Sequence, residues 1–121
     1  MRDRRFYERI SIDTDVLVFI DGYDSEIVGE ITDISEENVG LAFKLTDELK
    51  KNLKSKNILR LQFIDTYKVG TKTKSDIIQT SAFVKRMDCI DNVCHMGCVV
   101  RDDAFRKYAQ RKNAEKILAK I

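Results

Sequence analysis

The chain has 121 residues, enough for one domain around one core, and its 43% hydrophobic content is that of an ordinary globular protein. Lys and Arg number 22 against 20 Asp and Glu, so the formal charge is only +2, and bulk electrostatics do not mark a nucleic-acid binder. No apolar run approaches the roughly 18 residues of a membrane span, and the chain is charged from residue 2, with no apolar leader. Three cysteines, an odd number, argue against a secreted disulfide framework. The expectation is a cytoplasmic protein.

Residues 1–10 form a polar arm in which Arg2, Arg4, Arg5 and Arg9 face only Asp3 and Glu8. Val16 to Ile20 is an apolar run ending at Asp21-Gly22, a turn dipeptide, and is expected as the first strand. Glu26 to Ile34 and Val39 to Lys44 alternate in the strand manner and make the second and third. Thr46 is suited to cap a short helix over Asp47 to Leu53, with acidic residues in its first turn. Asn57 to Thr66 alternates again, with Leu59, Leu61 and Phe63 on one side. Tyr67 to Asp76 is polar, contains Gly70 and reads as a loop or hairpin end. Ile77 to Met87 and Val93 to Val100 complete the strands, with Asp91-Asn92 a turn before the last.

Asp102 or Asp103 then caps a helix to the C-terminus. Its apolar residues Phe105, Tyr108, Ala109, Ile117, Leu118 and Ile121 recur at spacings near three and four. One face of that helix packs on the sheet or on a second copy, so a homodimer through it is one expectation. The fold expected is mainly β: a small six-stranded antiparallel barrel over residues 11–101 with a C-terminal helix over 102–121. Closure of the barrel removes exposed sheet edges. An open sheet covered by the helix is the alternative.

The corner between the second and third strands carries the chemistry. Asp33 and Ser35 are two apart and point to one side of an extended chain, while Ile34 points into the core. Asn38 and Gly40 suit a sharp return or a close backbone approach. Arg5 and Arg9 are four apart and share a side of the arm, a fork for phosphates that can also stack on a flat base. Either feature alone is ordinary: a solvated basic tail, and a polar turn that bonds its own backbone.

Together and in this order, Arg4-Arg5-Phe-Tyr-Glu-Arg9 followed by Asp33-Ile-Ser35 and Asn38-Val-Gly40 resemble the PilZ domain family. Its hallmarks are an Arg-x-x-x-Arg arm and an Asp/Asn-x-Ser-x-x-Gly corner. His95-Met-Gly97-Cys-Val-Val100 is similar to that family's last strand, with a glycine in its middle. The resemblance covers nearly the whole chain, and it implies a six-stranded barrel that is a bacterial receptor for cyclic di-GMP. It further implies that Asp33, helped by Ser35, accepts guanine N1–H and N2–H. Arg5 and Arg9, flanked by Arg4, would take phosphates, the guanine O6/N7 edge or a guanine face. Ligand would order the arm and change the surface offered to a target protein. One departure is Asn38, which stands where the family has its corner glycine. Asn tolerates a left-handed backbone but adds bulk, which keeps open a degenerate domain that binds proteins without nucleotide.

The remaining clusters read plainly. Cys94 and Cys98 on one strand face lie roughly 13 Å apart, too far to share a zinc ion, and His95 points the other way. Cys89, Cys94 and Cys98 are expected as reduced core cysteines. Glu36 and Glu37 are a solvated turn tip. Arg106, Lys107, Arg111, Lys112, Lys116 and Lys120 are the wet side of an amphipathic helix. A small-barrel nucleic-acid binder is the third reading, disfavoured because an exposed aromatic set for stacking is lacking. No catalytic or metal-binding constellation is found, and no enzyme activity or cofactor is expected.

Overall fold

The computed structural model describes residues 9–53 and 58–119. Strands β1 (Ile10–Ile20), β2 (Ile27–Ser35) and β3 (Asn38–Lys44) are followed by helix α1 (Asp47–Leu53). Strands β4 (Ile58–Val69), β5 (Lys72–Ile90) and β6 (Val93–Val99) then lead into helix α2 (Asp103–Ala119). All pairings are antiparallel, and the six strands close into a ring in the order β1-β2-β3-β6-β5-β4. The expected barrel with a C-terminal helix is therefore present, and the open-sheet alternative is not.

The turns form where the sequence demands them. Gly22 takes a left-handed φ of 86° after β1, and Asp91 and Asn92 take φ values of 53° and 66° between β5 and β6. Thr46 caps α1 by accepting the Leu49 amide on Oγ1 at 3.1 Å. Asp102 caps α2 through the Ala104 amide at 3.3 Å.

Alternation fills the barrel with Val16, Val18, Ile31, Ile34, Val39, Leu41, Leu59 and Leu61, each at most 2% exposed. Leu49 and Leu53 of α1 join this core where β3 ends. Phe105, Tyr108 and Ala109 of α2 join it at the other end, where β2 turns into β3, with the Tyr108 ring edge-on to Phe63 at 5.0 Å between centroids.

Four expectations are corrected. β1 begins at Ile10, six residues before Val16, so the arm ends one residue earlier than its expected boundary. Of the two readings of Tyr67 to Asp76, the hairpin end holds and the loop does not: β4 and β5 stay paired as far as Val69↔Lys72, and only Gly70 and Thr71 turn. Its polarity reflects the solvent around this outer part of the hairpin. Cys89 and Cys94 are not reduced core cysteines, because they face each other across the β5–β6 ladder and are joined as a disulfide, leaving Cys98 free and buried. A pair directly opposed on two strands brings Cβ atoms within bonding reach of sulfur, a juxtaposition that linear spacing conceals.

The fourth concerns α2. Its apolar face is spent on the barrel as far as Ala109, while Ile117 and Leu118 are 54% and 67% exposed. Several of its cations are committed rather than merely wet. Arg111 pairs with the buried Asp65 of β4, Lys112 lies 3.7 Å from the same carboxylate, and Arg106 reaches Glu37 at 3.4 Å. Asp65 is only 1% exposed, so these two cations offset a charge that would otherwise be costly to bury.

Candidate functional site

The β2–β3 corner is shaped by a bulge. Ile31 pairs with Leu41 and Asp33 with Gly40, so Thr32 is an extra residue on β2. In unbroken alternation, with Thr32 paired in the ladder, Asp33 would share the inward side of Ile31. With the bulge, Ile31 and Ile34 both point into the core at 0% exposure, and Asp33 turns outward beside Gly40.

Asp33 lies down on its partner strand. A Cβ on Gly40 would sit 2.0 Å from Asp33 Oδ1 and 2.9 Å from Thr32 Oγ1. Gly40 is thus the position where the carboxylate needs a residue without a side chain. The glycine itself is buried, beneath the aspartate.

Arg9, the last residue before β1, grips that carboxylate with both prongs. Its Nε donates to Oδ2 at 3.1 Å and its Nη2 to Oδ1 at 3.0 Å. Two residues 24 apart in sequence meet because β1 and β2 pair with Ser11 opposite Asp33. The side chains remain 41% and 33% exposed, so the pair is a surface contact worth roughly 0.2–1 kcal/mol. Arg4 and Arg5 lie outside the described residues.

Ser35 and Asn38 bond to each other. They face each other across the two-residue turn Glu36-Glu37, and Asn38 Nδ2 donates to Ser35 Oγ at 3.1 Å. Ser35 is 3% exposed, so its hydroxyl braces the hairpin rather than lying open beside Asp33. Asn38 does not use the left-handed backbone, because Asp91 and Asn92 are the described non-glycine residues with positive φ.

Nor are Glu36 and Glu37 simply solvated. The Glu37 carbonyl accepts from the Val100 amide at 2.9 Å, the Glu37 carboxylate from Arg106 at 3.4 Å, and the Glu36 carboxylate from Gln110 at 3.3 Å. The turn that carries the corner is therefore docked on α2.

The same register extends the corner sideways to Gly97 and on to Arg86, a residue that the sequence did not single out. Gly40 pairs with Gly97 of β6, and Gly97 pairs with Arg86 of β5. The signal for Arg86 was faint: it is a break in the alternation Ile78, Thr80, Ala82, Val84, after which a charged residue falls on the parity of the core. A second bulge, at Lys85, turns it outward. Among the described residues no group of three or more His, Cys, Asp or Glu could hold a metal ion, and no helix is long and apolar enough to cross a membrane.

No family model matches the chain, and no curated protein matches it. Seven chains of known structure do match. One is the Bacillus subtilis inhibitor of motility (MotI/DgrA), with a TM-score of 0.63 at 22% identity over 95% of this chain and 54% of that one. The chain thus spans about half the length of that neighbour. At this identity the likeness shows a shared fold.

Proposed function

We propose that this chain is a non-catalytic, PilZ-type receptor for cyclic di-GMP, acting in the cytoplasm of a bacterium. The observation that carries the reading is the Arg9–Asp33 fork, which joins the arm motif to the corner motif on the outer face of the barrel. A carboxylate held flat on a glycine is well presented to guanine N1–H and N2–H, which it accepts in parallel. Those same two oxygens accept from Arg9.

Binding is then an exchange. Guanine takes over the Asp33 carboxylate, and Arg9, released, turns its fork to a phosphate of the ligand, joined by Arg4 and Arg5 from the arm. The exchange costs little, because the exposed pair it breaks contributes roughly 0.2–1 kcal/mol. It repositions the chain entering β1, and through Glu36 and Glu37 it touches α2. Those two segments are the surface whose change a target protein would read. The motility apparatus is the first place to seek that target, since the structural neighbour is named an inhibitor of motility.

A second reading has one observation in its favour. Asn38, at the family's glycine position, engages the Ser35 hydroxyl, as befits a corner kept as a rigid protein-interaction surface without nucleotide.

Titration calorimetry with cyclic di-GMP on the wild type and on Arg9→Ala decides between them. Micromolar or tighter binding that Arg9→Ala removes is the expected result. Binding unaffected by the substitution would refute the exchange, and no binding by the wild type would refute the receptor and favour the interaction module.

A further inference from the structure

Four residues stand in one row across four neighbouring strands: Asp33 on β2, Gly40 on β3, Gly97 on β6 and Arg86 on β5. Paired residues on a sheet point to the same side, and this row points outward, since Val39, Leu41, Met96 and Cys98 beside the two glycines are core. Both charged residues reach this face only because a bulge precedes them, at Thr32 on β2 and at Lys85 on β5. Both also lean toward the middle of the row. Asp33 Oδ1 lies 2.0 Å from where a Gly40 Cβ would be, and Arg86 Nε lies 3.3 Å, Cγ 3.4 Å and Cζ 3.7 Å from where a Gly97 Cβ would be. Two adjacent glycines thus make a floor about one strand spacing wide, roughly 5 Å, with a carboxylate lying over one and an arginine over the other. Arg86 is exposed and makes no hydrogen bond or ion pair to another described residue.

We propose that Asp33 and Arg86 together read the whole edge of one guanine, with Arg86 donating its fork to O6 and N7. Guanine presents N2–H, N1–H, O6 and N7 in sequence along contiguous edges, two donors and then two acceptors. A carboxylate beside a guanidinium presents two acceptors and then two donors, the complement of that order. Adenine reverses the match, offering a donor amine where guanine has O6. The arm arginines are then left for the phosphates. This deepens the cyclic di-GMP reading and rests on it.

The test pairs a change in the protein with a change in the ligand, so that their coupling is read directly. Wild type, Arg86→Ala, Arg86→Lys and Arg9→Ala are titrated with cyclic di-GMP and with its 7-deazaguanine analogue, which lacks the N7 acceptor. Arg86→Ala is expected to weaken cyclic di-GMP about 10- to 100-fold at unchanged melting temperature. The deaza analogue should bind the wild type more weakly than its parent, and Arg86→Ala should no longer distinguish the two. Lysine, a point charge without a fork, should restore little. Gly97→Ala should also weaken binding while the protein still folds, because the group its Cβ meets is a flexible side chain.

If Arg86→Ala binds cyclic di-GMP like the wild type while Arg9→Ala does not, this inference fails and the receptor reading stands. If Arg86→Ala loses equal affinity for parent and analogue, Arg86 acts on phosphate and the edge reading is wrong. Absence of wild-type binding defeats both.

Discussion

Gly40→Ala is the substitution that tests the corner most directly. The new Cβ would fall 2.0 Å from Asp33 Oδ1, 3.0 Å from Asp33 Cγ and 2.9 Å from Thr32 Oγ1. The backbone need not move, because Asp33 is a surface side chain and can swing away. The cost is an off-rotamer aspartate, about 0.5–1.5 kcal/mol, plus the lost Arg9 pair, about 0.2–1 kcal/mol. A chain of 121 residues unfolds with an entropy of about 0.25 kcal/mol/K near 60 °C, so a loss of about 0.7–2.5 kcal/mol lowers the melting temperature by about 3–10 °C. Binding suffers more than folding. A displaced carboxylate forfeits charge-assisted hydrogen bonds worth about 1.5–3 kcal/mol, which is about 10- to 100-fold in affinity for cyclic di-GMP. Gly29→Ala is the control: its Cβ would meet the Ala42 carbonyl oxygen at 2.9 Å and Phe43 Cβ at 3.2 Å, far from Asp33. It should lower stability and leave affinity intact. Thermal denaturation and calorimetry on both variants measure the two effects separately. Wild-type affinity in Gly40→Ala would refute the role given to the Asp33 carboxylate.

Two further outcomes follow from the core. Asp65→Asn removes the buried charge that Arg111 and Lys112 embrace; since both cations can turn partly to water, the expected loss is about 1–3 kcal/mol, with faster amide exchange confined to α2, and unchanged exchange would show that the contact does not hold the helix. Burial pushes the Cys98 thiol up from its ordinary 9.0 to about 11. A folded-state value above the unfolded one means that this stability is fully present below about pH 9 and is lost as pH rises toward about 11. The melting temperature should therefore fall across that window, and Cys98→Ala should flatten the fall; an equally steep fall in the variant would assign it to other groups, Tyr108 among them, whose hydroxyl is also raised chiefly by burial.

Much of the fold was legible because its signals are local. Asp21-Gly22 and Asp91-Asn92 announce turns by their tolerance of positive φ, Thr46 and Asp102 announce helix starts by their side-chain oxygens, and alternation announces strands. Those rules place six strands and two helices in order. They also nominate Arg9 and Asp33, which the barrel brings into contact. Long polar stretches mislead the same rules. Tyr67 to Asp76 lacks apolar alternation because that part of the hairpin is solvated, so only its partner strand reveals it as a strand.

The set of elements and the residue types at the corner can be read from the residues alone. Which way the side chains face depends on how the strands pair. Side-chain direction in a strand has period two, so one extra residue inverts everything after it, and whether a residue is extra depends on the strand opposite. Thr32 is a bulge only against Leu41 and Gly40, and Lys85 only against Cys98 and Gly97. Those two residues turn Asp33 and Arg86 out of the core and onto the glycines. Ring closure did the rest. Pairing β3 with β6 sets Gly40 beside Gly97, and the ladder of β5 with β6 sets Cys89 against Cys94. These neighbours are fixed by backbone hydrogen bonds between distant segments, which carry no mark in the residues that make them.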